Sequence, residues 1–123
     1  MSVPILKQGD VLIASMQAAL TDDALVRLRD DLAEKVGSFR ARAVIIDVTA
    51  LDVLDSFATR TIRGIAYTAR LRGAKTVVVG IQPEVAFAMV QLGLTLEGVP
   101  TALDLEEGLA LVNQDHGSGR DAR

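Results

Sequence analysis

Few side chains in this chain are equipped for chemistry, and the best placed is the hydroxyl of Ser56 in Asp55-Ser56-Phe57. The tripeptide follows a short apolar run, Ala43 to Val48, and precedes a helix-like pattern. A serine at such a junction is ordinarily a cap that satisfies an orphan backbone N–H. The sharper reading is an exposed hydroxyl at the end of a buried strand, where open α/β sheets place their sites. The neighbouring acids Asp47, Asp52 and Asp55 offer a second chemistry, an aspartate phosphoacceptor with Mg²⁺ held by carboxylates. That arrangement needs a further acidic pair after the first parallel strand, and the chain has Ser15-Met16-Gln17-Ala18 there. The acids therefore read better as solvated loop residues, and no metal site is expected.

Other catalytic sets are missing. His116 is the only histidine and falls in a polar C-terminal stretch, so neither a triad nor a histidine metal centre can assemble. Cysteine is absent, which removes thiolate chemistry and disulfides and fits a reducing compartment. The glycines are scattered, with no phosphate-binding run, so no nucleotide cofactor is implied. The residues point to a protein that is acted upon rather than an enzyme.

The helix after Ser56 gives the hydroxyl a setting. At about 100° per residue, Ser56, Arg60, Arg63 and Tyr67 form one band, while Ala58, Ile62, Ile65, Ala66 and Ala69 form the opposite stripe. The band reads either as an ordinary solvated face or as a partner-docking surface around Ser56, with Asp55, Phe57, Arg60 and Arg63 as its contacts. Thr59 is the rival hydroxyl, turned partly toward the packed side. A phosphate on Ser56 would add nearly two negative charges beside Asp55 and near Asp52, offset in part by the helix N-terminus and Arg60. A partner matched to the neutral surface would then bind less well.

Composition sets the limits. The 123 residues suit one domain; half are hydrophobic but only 3% aromatic, so the core must be aliphatic. A net charge of −3 and the lack of a basic, aromatic-laced cluster argue against nucleic acid and anionic membranes. Despite a mean hydropathy of +0.32, no apolar run approaches the ~18 residues of a spanning helix. Val11 to Met16 is too short for a signal sequence, and the expected localisation is cytoplasmic.

The elements that must position Ser56 follow from the pattern. Val3–Gln8 and Asp10–Gln17 flank a Gly9-Asp10 turn and predict a hairpin. Thr21 predicts a helix N-cap, with Leu20 and Leu25 as a staple, Leu25, Leu28, Leu32 and Val36 buried, and Gly37 as the stop. Asp23–Arg27 and Asp31–Lys35 are expected pairs on its wet side. Strand 43–48, helix 56–72 and strand 75–80 follow. A helix then starts at Pro83, with Val85, Met89, Val90 and Leu92 facing inward; a short strand near 99–102 and a helix from Leu103 complete the pattern. Residues 114–123 are expected to be a flexible tail. The order ββαβαβα(β)α predicts a single α/β domain with a small mixed, largely parallel sheet.

With these residues in place, the chain resembles the STAS family of anti-sigma-factor antagonists, in particular its stressosome scaffold branch, over about residues 3–113. The resemblance rests on Val44-Ile-Ile-Asp-Val-Thr49 leading into Leu54-Asp55-Ser56-Phe57, on Leu71-Arg-Gly-Ala-Lys75, on Gly80-Ile-Gln-Pro83 and on Thr101-Ala-Leu-Asp-Leu-Glu106. It implies a STAS domain over residues 1–113 and phosphorylation at Ser56 by a cognate serine/threonine kinase. It also implies a large assembly with a sensory STAS paralogue that sequesters the kinase until phosphorylation, and resetting by a PP2C-type phosphatase. A stand-alone antagonist that binds an anti-sigma kinase directly is the alternative. The second helix departs from the family pattern in its more basic exposed face, around Arg60 and Arg63-Gly64.

Overall fold

The computed structural model describes residues 3–18 and 20–121, with side chains described as far as residue 113. Strands β1 (Ile5–Gln8), β2 (Val11–Ser15), β3 (Ala43–Asp47), β4 (Lys75–Val79) and β5 (Thr101–Ala102) form one sheet in sequential order. The β1–β2 hairpin is antiparallel and every later pairing is parallel. The connections are α1 (Asp22–Ser38), α2 (Ser56–Leu71) and α3 (Pro83–Gln91), and α4 (Leu105–Asp121) ends the chain. This is the expected mixed α/β architecture. The expected flexible tail at 114–123, with His116, lies outside the described side chains.

Strand alternation decides which helix covers which face. Leu12, Ala14, Val44, Ile46 and Val78 point to one side and pack against the stripes of α1, α2 and α3. Val11, Ile13, Ala43, Ile45, Val77 and Val79 point to the other, where Val112 of α4 closes the layer. With both faces covered, β3 is apolar from Ala43 to Ile46, as a central parallel strand should be. Gly108 lets α4 sit this close, because a Cβ there would come within 2.6 Å of Val79 Cγ1.

One expectation about the ends of α1 holds and one changes. Thr21 does cap α1, accepting from the Ala24 N–H at 3.1 Å, and Leu20 packs on the same core as Leu25. Gly37, however, does not stop the helix. It lies one residue inside α1, where the Arg72 guanidinium passes across it and donates to the Ala33 carbonyl. The left-handed closing position is held by Arg40 (φ 52°), with Ala41 N–H donating to Val36 O and Arg40 N–H to Gly37 O. On the wet side, the ion pair along α1 joins Arg29 to Asp30 at 3.1 Å, not the expected Asp23–Arg27 or Asp31–Lys35.

Helix α3 departs further from expectation. Val85 and Met89 are buried, but Val90 and Leu92 are 79% and 71% exposed. Positions 85 and 89 lie one turn apart and exhaust the contact that so short a helix makes with the core. The run Val85-Ala-Phe-Ala-Met-Val90 carries more apolar surface than one face can bury, and the surplus, with Phe87, faces solvent.

Candidate phosphoacceptor site and its groove

Residues 48–55 carry the chain from β3 to α2 and are pinned from below. Leu51 and Leu54 are buried anchors, whereas Asp52 and Val53 between them are exposed. Asp47 closes the start of the loop by accepting from both the N–H (2.9 Å) and the hydroxyl (2.6 Å) of Thr49. The Gln82 side-chain amide donates to Thr49 O at 2.7 Å, tying this loop to the start of α3. Gly80 (φ 83°) makes that approach possible, since a Cβ there would collide with Thr49 Oγ1.

The cap of α2 is Asp55, not Ser56. Its carboxylate accepts from the Ala58 N–H at 2.8 Å, while its carbonyl accepts from the Thr59 N–H at 2.9 Å and the Thr59 hydroxyl at 2.8 Å. Serine and aspartate cap comparably well. Asp55 takes the position because its backbone is extended and Leu54 is held in the core. Ser56 is thereby released from structural work: it is the first helical residue, exposed, with its hydroxyl in no hydrogen bond among the described residues. The amides of Ser56 and Phe57, at the positive end of the helix, lie in the turn that has no intrahelical acceptors.

The other expected site residues divide cleanly. Arg60, Arg63 and Tyr67 are exposed along one band with Ser56; Phe57 is half-buried and packs on the core. Thr59 is only 1% exposed and its hydroxyl is already bonded, so no enzyme could reach it without opening the helix. Asp22 at the start of α1 joins Asp52 and Asp55 around a small cleft of about 190 Å³. Among the described residues, no group of three or more acids or histidines is arranged to hold a metal ion.

One feature escaped the sequence reading. Ser56 stands at the rim of an apolar groove of about 400 Å³, bounded by Val53 and Leu54 on one side and by Val85, Ala88, Leu92 and Leu94 on the other. The signal was present in the unbroken apolar run of α3, which no single buried stripe could absorb.

A STAS-domain family model matches residues 2–108. RsbS from Moorella thermoacetica, solved as a serine-to-glutamate variant, is 34% identical with a TM-score of 0.79, covering 91% of this chain and 95% of that one. A chain from the molecular architecture of the stressosome, described as a signal integration and transduction hub, is also 34% identical, with a TM-score of 0.77 and coverage of 90% and 96%. The RsbT co-antagonist protein RsbRA of Bacillus subtilis (strain 168) is 29% identical over 100 residues, 81% of this chain and 36% of RsbRA. The chain thus spans about a third of the length of that relative.

Proposed function

This chain belongs to the STAS-domain family and resembles the stressosome protein RsbS over nearly its whole length, and from that premise we propose that it is a non-enzymatic scaffold whose kinase-binding surface is switched by phosphorylation of Ser56. The observation that carries the reading is the release of Ser56 from capping, which leaves a free hydroxyl at the mouth of an apolar groove. In the unphosphorylated state the groove and the exposed Phe87 and Val90 of α3 dock a serine/threonine kinase of the RsbT kind. Phosphorylation then places nearly two negative charges beside Asp52 and Asp55 at the groove rim. An apolar partner surface would have to desolvate that dianion, so the kinase is released. The helix fold tolerates the phosphate, because the first-turn amides and Arg60 partly balance it.

The likeness to RsbRA supports co-assembly with a sensory STAS paralogue, and the reversible switch calls for a PP2C-type phosphatase. The assembly is cytoplasmic in this reading; among the described residues no helix is long and apolar enough to cross a membrane.

The test is intact mass and site mapping after incubation with the cognate kinase and ATP. A single phosphate on Ser56, absent from Ser56→Ala, is expected, and labelling of Ser56→Ala at the wild-type level would overturn the reading. Ser56→Asp should release the kinase only partly, since one carboxylate carries less charge than a phosphate. Light scattering with the sensory paralogue separates the scaffold from a stand-alone antagonist: a large joint species supports the first, and only small separate species would indicate the second.

A further inference from the structure

A cavity of about 630 Å³ lies at the other end of α2 and is independent of the Ser56 switch. It opens between the C-terminal half of α2, the start of β4 and residues 97–100 before β5. Its volume falls within the range of small-molecule sites. The walls are largely apolar, with Ala66, Ala74, Val99 and Pro100. Two guanidinium groups, Arg63 and Arg70, stand on the helix side, and neither is engaged in an ion pair. Arg70 lies 5.5 Å from the centre of the Tyr67 ring, which orders both side chains at the rim.

Thr76, which lines the cavity, also carries the one buried side-chain polar atom that has no partner among the described residues, its hydroxyl oxygen. Thr76 is 4% exposed and sits on β4 in line with Val78, so its side chain is directed to the α2 side of the sheet. Burying a hydroxyl without a partner is destabilising, because its hydration is lost and not replaced. A valine of the same shape would avoid that cost. A buried hydroxyl at the floor, cations at the rim and apolar walls between them are the components of a ligand site.

We propose that this cavity binds a small organic phosphate ester bearing a flat apolar ring, with the phosphate on Arg63 and Arg70, the ring against the apolar walls and the Thr76 hydroxyl bonded to the ligand. Two guanidiniums match a dianion in charge and in fork geometry. Glu97 on the loop wall repels the anionic head and directs it to the helix side. A volume of about 630 Å³ matches a small molecule.

Phenyl phosphate, inorganic phosphate and phenol, titrated separately into isotopically labelled protein, test the site by amide chemical shifts. Phenyl phosphate should give saturable shifts centred on residues 73–76 and 98–99, with the two fragments binding at least tenfold more weakly. The double variant Arg63→Gln/Arg70→Gln should weaken phenyl phosphate at least tenfold. Thr76→Val should weaken it severalfold while raising the melting temperature of the free protein, a combination that a merely structural threonine would not give. Shifts that fail to saturate, inorganic phosphate binding as tightly as phenyl phosphate, or affinity unchanged in these variants would overturn the proposal.

Discussion

The two ends of helix α2 present hydroxyls of opposite kinds. At its start, Ser56 is exposed in an acidic setting shared with Asp52 and Asp55. Some 20 Å away at about 1.5 Å per residue, Thr76 is buried beneath a basic rim of Arg63 and Arg70. Position, not residue type, decides what each can do. A neighbouring cap leaves the Ser56 hydroxyl unbonded and exposed, whereas the Thr76 hydroxyl is closed off in the wall of a cavity. Thr59 supplies the control between them: a hydroxyl one turn from Ser56 that its own helix has buried and satisfied.

The largest effect that could break this contrast is on phosphate transfer. Ser56→Ala should abolish labelling by the cognate kinase, at least a hundredfold below wild type, while Thr59→Val should leave it intact. Quantitative mass spectrometry distinguishes them, and phosphate appearing on Thr59 would erase the distinction between exposed and satisfied hydroxyls.

Next in size is the groove beside Ser56. Val53 and Leu92 are 69% and 71% exposed, so a charge at either position should leave the fold untouched. Val53→Glu or Leu92→Glu should weaken the unphosphorylated kinase complex by at least tenfold in a calorimetric titration, with little change in melting temperature. Equal weakening by Arg70→Glu at the far end of α2 would mean that docking is not confined to the Ser56 end.

A smaller effect is expected on stability. Asp55→Ala removes the carboxylate that accepts from the Ala58 N–H, at a cost of about 0.5–2 kcal/mol. Denaturant unfolding should show a lower midpoint with an unchanged slope.

Much of this contrast is legible in the sequence, and the parts that are not have physical reasons. The order of strands and helices follows from apolar periodicity, and the row Ser56, Arg60, Arg63, Tyr67 follows from the turn of the helix. The outward-facing Val90 and Leu92 do not, because periodicity identifies an apolar residue without saying whether a short helix has anything left to pack against. The closing role of Arg40 is hidden because a left-handed residue is normally sought among glycines, and Gly37 stood nearby as a decoy. The cavity at Thr76 joins residues from α2, β4 and the loop before β5, a juxtaposition that only the parallel β4–β5 pairing creates.

The smallest effect belongs to the substitution with the largest, measured another way. If Ser56 were the cap, Ser56→Ala would cost up to about 2 kcal/mol. The cap bond is instead made by Asp55, and Ser56 occupies the first helical position with its hydroxyl in solvent. Alanine is the better helix former there, and its gain of a few tenths of a kcal/mol opposes whatever solvation the hydroxyl provided. Unfolding free energy should therefore change by less than about 0.5 kcal/mol, in line with exposed substitutions that touch no special feature. A loss of 1 kcal/mol or more would assign the serine a structural role after all, and the separation between a reactive Ser56 and a structural Asp55 would fail.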